Sequence, residues 1–179
     1  GHDATNITFT DAQLMLIEEV SAVAKNPITV ILMTAVPLDI SAMLKSNKVG
    51  AILHVGQPSV TILGAGDLLF GKSSPAGRTI QTIYQESYQD QISIFDFNMR
   101  PGPSKFARPD CTNQDPAACP RGTNPGRTHR FYVDTPVLPF GFGLSYSTFS
   151  YKVVELSTAS HGVHSLDSVR TLLAVTTRA

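Results

Sequence analysis

The sequence lacks an excess of charge of either sign. Among its 179 residues, 14 are Lys or Arg and 14 are Asp or Glu, so the formal net charge is zero. A balanced chain has no extended positive field of the kind that attracts nucleic acids or anionic membrane surfaces. We therefore expect neither a nucleic acid nor a membrane among its partners.

A long apolar run is also missing. No stretch approaches the roughly eighteen consecutive apolar residues that a membrane-spanning helix requires. The chain does not begin with Met, which predicts that it is part of a longer parent protein. Its first residues are polar and carry no secretory leader. That observation says nothing about the destination of the parent. Charged residues are only 16% of the chain and hydrophobic residues 42%, which favours a folded globular domain over a disordered one.

Cysteine is scarce, and its placement bears on secretion. Cys111 and Cys119 lie in the loop-like run RPDCTNQDPAACPRG, where a disulfide would close a small loop if the protein is secreted. Two free thiols in a flexible insert are the alternative. Asn6 begins the sequon Asn-Ile-Thr, an N-glycosylation site that is usable only in a secretory compartment.

Metal ligands in a recognisable spacing are absent. Two cysteines without a nearby histidine fall short of a zinc site, and the five histidines show no close spacing. His54 lies in an apolar run and is predicted to be a packed residue. We expect no metal and no cofactor.

The first half of the chain has the periodicity of an α/β fold. Residues 10–25 carry apolar side chains at helical spacing, with Thr10 or Asp11 as the N-cap. Residues 28–35 read ITVILMTA, a run typical of a strand buried on both faces of a parallel sheet. The order continues with a short helix at residues 37–44, a second buried strand at 49–55 and a helix ending near residue 70, which together predict parallel pairing.

Beyond Gly77 the pattern changes. Alternation predicts a strand at residues 78–84, a short extended piece at 92–95, a long surface loop at 101–125 and a strand at 136–151. The predicted class is α/β: a partial α/β/α sandwich with a mainly parallel sheet, a long Pro/Gly-rich loop and a terminal β segment. Residues 152–179 are predicted to be a linker or the start of a further module.

One motif points to nucleotides. Residues 66–73 read GDLLFGKS and satisfy the pattern of a phosphate-binding loop. Such a loop must open into a helix whose N-terminus faces the ligand. Pro75 and Gly77 follow closely and argue against a continuing helix, so a nucleotide-binding protein is only a remote alternative.

Several short runs occur in a specific order. Residues 125–132 read PGRTHRFY and residues 140–149 read FGFGLSYSTF; upstream, residues 67–71 read DLLFG, residues 75–78 read PAGR and residues 1–8 read GHDATNIT. In this order the runs resemble glycoside hydrolase family 3, especially its β-xylosidases and β-glucosidases. Members of that family carry PGRTYRFY-like and PFGYGLSYT-like runs.

The resemblance implies a retaining exo-β-glycosidase that removes terminal β-linked xylose or glucose. In such enzymes an N-terminal barrel supplies the nucleophilic aspartate, and a loop of an α/β sandwich domain supplies the acid/base glutamate. On this pattern residues 1–151 are a truncated sandwich domain, and residues 152–179 are a linker or the start of a fibronectin-III-like module. The implied partners are a carbohydrate substrate and the barrel of the parent chain, and the implied location is extracellular.

The resemblance places both catalytic carboxylates upstream of this chain, which alone is then expected to be inactive. His2 and Asp3 are the nearest remnants of the acid/base loop and the candidates for substrate contact; ordinary loop residues are the alternative. No pair of carboxylates within the chain is compelling; the candidates are Asp3, Asp11, Glu18, Glu19, Asp39, Asp67, Glu86, Asp90 and Asp96. Asp96, in the run FDFNMR, is predicted to be structural.

Three departures from the family pattern keep a second hypothesis open. Ala4 stands where the family usually has arginine, residues 59–66 replace a glycine-rich run, and His129 replaces a frequent tyrosine. The first two would weaken a loop that faces the sugar. The alternative function is therefore a non-catalytic α/β module that binds carbohydrate or a protein partner.

Overall fold

The computed structural model describes residues 6–58 and 60–152. The chain divides into two units, Gly1–Ser147 and Thr148–Ala179, and every described helix and strand belongs to the first of them. The predicted domain boundary near residue 151 stays a prediction, because nearly all of residues 152–179 lie outside the described part.

The first helix, α1, spans Asp11–Val23 and begins as the sequence predicts. Thr10 is its N-cap, and a capping box joins the side chains and backbones of Thr10 and Gln13. Leu14 and Ile17 on one face pack against the core. The helix ends before Asn26 and Pro27, since the residue preceding a proline disfavours helical geometry.

Two parallel strands follow, with a short helix in the crossover between them. Strand β1 spans Ile28–Leu32, helix α2 spans Ser41–Lys45, and strand β2 spans Val49–His54. The strands pair in parallel with Val30 opposite Ile52, which confirms the predicted pairing. Helix α3, Gly64–Leu69, comes next and is preceded by a 3-10 turn at Val60–Leu63.

The predicted burial of β1 on both faces is wrong for the described part of the chain. Its side chains alternate: Leu32 is buried, while Thr29 and Ile31 on the opposite face are exposed. The strand also ends at Leu32 rather than at residue 35, because the Thr34 side chain bonds to the backbone of Val36 and forms a turn. His54 is exposed, contrary to the packed position predicted for it.

A second, antiparallel sheet occupies the region predicted to be a long surface loop. After helix α4 at Ser87–Gln91, strand β3 spans Gly102–Ala107 and pairs with β4, Arg121–Asn124. The intervening residues contain the 3-10 turn Pro116–Ala118. The described sheets are therefore one parallel pair and one antiparallel pair, and the mainly parallel sheet of the prediction is not seen among the described residues.

The remaining predicted strands are not regular strands. Ile83 and Leu138 form an isolated bridge, and Thr79 bonds to Gly141 and Phe142 through backbone groups. Pro136 and Pro139 have no N–H to donate, so a continuous ladder cannot form at residues 136–151. The extended piece predicted at residues 92–95 is a turn, in which the Asp96 N–H donates to the Ser93 carbonyl. The last described helix, α5, is Thr128–Phe131.

The core lies between α1, α2 and the parallel strands. Leu32, Ile40 and Met43 are its fully buried members. Val137 and Leu138 pack against them from the second half of the chain. None of the helices among the described residues is long and apolar enough to cross a membrane.

Candidate functional site

The segment that follows His2 and Asp3 is anchored at Ile7. The N–H of Ile7 donates to Oε1 of Gln89 over 2.9 Å, and its carbonyl accepts from the N–H of Asp39 over 2.7 Å. His2 and Asp3 themselves lie outside the described residues. The described part of this segment is therefore held to the domain at Ile7.

Asn6 is exposed immediately before this anchor. Its Oδ1 accepts hydrogen bonds from the N–H and from the hydroxyl of Thr8, with the N–H at 2.6 Å. The sequon thus forms a turn closed by the side chain of its first residue. Glycosylation of Asn6 stays a prediction.

Asp39 joins two helix starts. Its Oδ1 accepts from the Ser41 N–H and its Oδ2 from the Glu86 N–H, each over 2.7 Å. Burial acts to raise the pKa of Asp39, but the bonds from Ser41 and Glu86 and the charge of Lys45 outweigh it, so the pKa lies below its usual value. Asp39 is therefore an ionised structural group rather than a proton donor to a sugar.

Three tyrosines form a cluster beside α4. The rings of Tyr84 and Tyr88 stack with centroids 4.2 Å apart, and Tyr132 meets both edge-on. Burial raises the pKa of Tyr88 to about 12, so its hydroxyl stays protonated and donates to the Gly126 carbonyl over 3.4 Å. The cluster therefore connects α4 to the PGRT run.

The PGRT run turns sharply at Gly126 and Thr128. Gly126 has φ +91°, and a Cβ there would lie 2.0 Å from the carbonyl oxygen of Phe131, so only glycine fits. Thr128 has φ 61°, which is rare and strained for a β-branched residue. Its N–H donates to the hydroxyl of Tyr84 over 2.6 Å, and this bond helps to hold the strained turn.

A buried polar network lies behind this turn. Asp96 is 2% exposed and Asn124 is 1% exposed. The Arg127 guanidinium donates to the carbonyl of Asp96, and the amide of Asn124 donates to the carbonyl of Asn98 over 2.7 Å. The Asp96 side chain accepts from the Asn98 N–H over 3.0 Å, which fits the structural role predicted for it. Asn124 was not predicted from the sequence, although the run TNPG around it is a turn signal.

The protonation state of Asp96 follows from this network. Burial acts to raise its pKa, but hydrogen bonds from Ser104 and Asn98 and the charge of Arg127 outweigh burial and hold the pKa below its usual value. Asp96 is therefore ionised at neutral pH.

The runs PGRTHRFY (residues 125–132) and FGFGLSYSTF (residues 140–149) meet at His129. The His129 ring stacks on Phe140 with centroids 4.3 Å apart, and both side chains are exposed. The Arg100 guanidinium lies 4.8 Å from the centre of the Phe131 ring. A basic and aromatic surface is therefore built where PGRTHRFY and PFGFG come together.

The upstream runs join the same assembly. Gly143 lets the chain approach closely, because a Cβ there would lie 2.5 Å from the Gly77 carbonyl. The hydroxyls of Ser74 and Ser145 are 2.9 Å apart, and the Tyr146 hydroxyl donates to the Leu68 carbonyl over 2.8 Å. The runs DLLFG and PAGR therefore contact FGFGLSY directly.

The phosphate-loop pattern has the wrong geometry for nucleotides. Gly66 lies inside α3, and the run ends that helix instead of opening one. The N–H groups of Lys72 and Ser73 donate to the Asp67 carbonyl, and the Lys72 ammonium pairs with the Asp67 carboxylate at 3.5 Å. These N–H groups are occupied at the negative end of a helix, where phosphate is not favoured.

An apolar cavity of about 340 Å³ lies beside the parallel strands. Leu32, Ile52, Leu138 and Phe142 line it, and His54 is among its few polar neighbours. No carboxylate of the described residues lines the cavity, so this part of the chain does not supply it with the groups that would cleave a glycoside.

The Cys111 and Cys119 sulfurs lie 2.11 Å apart and are joined as a disulfide at the tip of the β3–β4 hairpin. Asp110 pairs with Arg108 beside the bridge. Across residues 6–58 and 60–152, no group of three or more His, Cys, Asp or Glu side chains is arranged to hold a metal ion.

Comparison with known proteins decides the family. The model of the glycosyl hydrolase family 3 C-terminal domain matches residues 1–146. The chain belongs to this family. Four of the family 3 runs quoted from the sequence, residues 67–71, 75–78, 125–132 and 140–149, are thus ones that the described structure brings into contact.

Curated relatives give the same answer. The family 3 domain is 37% identical over 156 residues to "Beta-xylosidase/alpha-L-arabinofuranosidase 2" of Medicago sativa, covering 87% of this chain and 18% of the relative. It is 41% identical over 150 residues to an exo-1,4-beta-xylosidase of Emericella nidulans, covering 83% of this chain and 17% of that one. This family 3 chain therefore spans less than a fifth of the length of these relatives.

A solved structure shares the fold. It is described as a GH3 exo-beta-xylosidase, XlnD, in complex with a xylobiose aziridine activity-based probe. The similarity has a TM-score of 0.65 at 33% identity and covers 82% of this chain and 17% of that one. The mixed α/β architecture of the family 3 domain agrees with this neighbour.

Proposed function

We propose that this chain is part of a retaining exo-β-glycosidase that removes terminal β-linked xylose, or glucose, from oligosaccharides and glycosides. The observation that carries the proposal is the family match over residues 1–146, together with relatives that are named as β-xylosidases. Xylose is the preferred sugar because those two relatives and the structural neighbour are all named as xylosidases.

In this proposal the catalytic carboxylates come from other parts of the parent protein. Among the described residues, five acidic side chains have structural partners; they are Asp39, Asp67, Asp96, Asp110 and Asp115. Retaining cleavage needs two carboxyl groups about 5 Å apart on opposite sides of the bond. A barrel domain would supply the nucleophile, and His2 and Asp3 would contact the substrate.

The domain also presents surfaces that suit a larger assembly. Met15 and Leu16 on α1 are 59% and 63% exposed, and Phe97 is 82% exposed. Large apolar side chains at this exposure are typical of surfaces that pack against other protein. Packing against the barrel of the parent accounts for them.

Secretion of the parent is part of the same proposal. A disulfide between Cys111 and Cys119 requires an oxidising compartment to persist. Exposure of Asn6 leaves its sequon accessible to glycosylation in the same pathway.

The experiment measures kcat/KM of the parent protein, expressed from the longest reading frame that contains this chain. The substrates are 4-nitrophenyl β-D-xyloside and 4-nitrophenyl β-D-glucoside. We expect turnover of the xyloside with a β-configured product by NMR, and no turnover above a blank by the 179-residue chain alone. Turnover by the isolated chain would contradict the assignment of the carboxylates to other parts. Sugar binding without turnover by the parent would favour the non-catalytic carbohydrate-binding alternative.

A further inference from the structure

We propose that Gln89 is a positioning residue that fixes the segment following His2 and Asp3 for catalysis. The inference rests on the proposed function, in which those two residues contact the substrate. It concerns a side chain that the sequence pattern does not mark, because a glutamine on a short helix resembles any solvated polar residue.

The contact itself is specific and long-range. Oε1 of Gln89 accepts from the Ile7 N–H over 2.9 Å, across 82 residues of sequence. The Ile7 carbonyl accepts from the Asp39 N–H on its other side. Both backbone groups of Ile7 are thus bonded to separate parts of the domain, and removing the Gln89 amide frees one of them.

The anchor is close in sequence to the residues it would position. Phe9 packs against the core cluster, so the segment is held from Ile7 to Phe9. Ile7 follows Asp3 by only four positions, a reach of at most about 14 Å. Loss of the anchor at Ile7 is therefore expected to disturb the run that precedes it in the chain.

Gln89 is presented by a rigid support. The start of α4 is fixed by the Asp39 carboxylate, which accepts from the Glu86 N–H. The neighbouring residue Tyr88 is 9% exposed and packs between Tyr84 and Tyr132. A side chain on such a support holds its partner more closely than one on a free loop.

Gln85 provides a matched control. It is also a glutamine that bonds to a distant backbone group, since its Nε2 donates to the Thr135 carbonyl over 3.0 Å. Its partner belongs to another segment. Gln85→Ala therefore removes one hydrogen bond of the same kind without touching residues 6–9.

The test uses the parent protein that carries this chain, with Gln89→Ala, Gln89→Glu and Gln85→Ala. Because misplacement of catalytic geometry by about 1 Å costs up to roughly 100-fold in rate, we expect Gln89→Ala to lower kcat for 4-nitrophenyl β-D-xyloside about tenfold. Hydrogen–deuterium exchange at residues 6–9 should accelerate in parallel. Gln89→Glu keeps an acceptor oxygen and should restore both values, while Gln85→Ala should leave both unchanged.

Two results overturn the inference. Equal exchange at residues 6–9 in Gln89→Ala and Gln85→Ala would show that Gln89 anchors nothing. Faster exchange with kcat and KM equal to those of Gln85→Ala would show an anchor without a catalytic role. A wild-type parent without turnover would instead overturn the proposed function, and the exchange measurement would still report on the anchor.

Discussion

The two parts of the Gly1–Ser147 unit are stabilised differently. The first region, residues 6–58 and 60–76, is a strand–helix–strand arrangement around Leu32, Ile40 and Met43. The second region, residues 77–147, has short elements held by individual side-chain bonds to backbone. Burial of a periodic apolar face tolerates many sequences, whereas bonds between named atoms tolerate few. Of the family 3 runs, residues 125–132 and most of 140–149 lie in the second region, whereas residues 1–8 and 67–71 precede it.

The largest loss of stability is expected at Gly126, where the second region has no space for a side chain. Gly126→Ala would place a methyl group 2.0 Å from the Phe131 carbonyl at φ +91°, so we expect a loss of about 4 kcal/mol in the free energy of unfolding. Urea unfolding followed by circular dichroism measures the loss. Gly141→Ala is the control: its φ is +81° with no described atom within 4 Å, so a loss of only about 1–2 kcal/mol is expected. Equal losses would contradict the steric argument.

In the first region, the most destabilising substitution is expected in the core. Met43 is 3% exposed, and Met43→Ala removes buried apolar volume, so we expect a loss of about 3 kcal/mol in urea unfolding. The neighbouring Leu44 is 52% exposed, and Leu44→Ala should change stability by less than about 1 kcal/mol. A similar effect at both positions would mean that the core is not where the contacts place it.

An acid titration sharpens the comparison. The folded pKa of Asp96 lies below its usual value of 3.8, so Asp96 contributes stability above about pH 4 that is lost as pH falls through the folded pKa. Arg127→Met removes one cause of the lowering and a hydrogen bond to the Asp96 carbonyl. We expect a loss of about 2 kcal/mol at neutral pH and acid unfolding that begins at a higher pH.

Arg108→Met is the matched control for that titration. Arg108 pairs with Asp110 at the surface, where ion pairs contribute little. Its urea and acid midpoints should equal those of the wild type. A control that moves as far as Arg127→Met would remove the distinction between the buried network and the surface pair.

The smallest effect is expected at the start of α1. Thr10→Ala removes the side chain of a capping box, and we expect a loss of about 1 kcal/mol. Thr10→Ser keeps the hydroxyl and should recover most of it. Urea midpoints of the two variants decide whether the cap contributes as a hydrogen bond or only as a helix boundary.

Prediction from sequence succeeded where periodicity determines structure. The capped helix at residue 10 and the parallel pairing of residues 28–32 with 49–54 follow from apolar spacing and turn signals. The hairpin of β3 and β4 could not be found this way, because its buried positions are Ser104 in β3 and Gly122 and Asn124 in β4. Polar residues that bond to backbone inside a fold have the same pattern as residues of a surface loop.

In the candidate site, too, some features could be predicted from the sequence and others could not. Sequence resemblance located the runs that meet around His129 and Gly143, because each run is a contiguous sequence motif. It gave no sign of the bond from Ile7 to Gln89 or of the bond from Glu86 to Asp39, since each of these two contacts joins residues far apart in the chain. Alternation also predicted a strand at residues 136–151, where prolines prevent a continuous ladder.

The tyrosine cluster makes the two regions optically distinct. The chain has no tryptophan, and all five tyrosines lie at or after residue 84, three of them in the cluster of Tyr84, Tyr88 and Tyr132. Intrinsic tyrosine emission of the isolated chain therefore reports mainly on the second region, with Tyr146 also touching the first region at Leu68, while the far-ultraviolet signal of α1 reports largely on the first region. Coincident melting curves from the two signals would show a single cooperative unit, and separated curves would show which region loosens first.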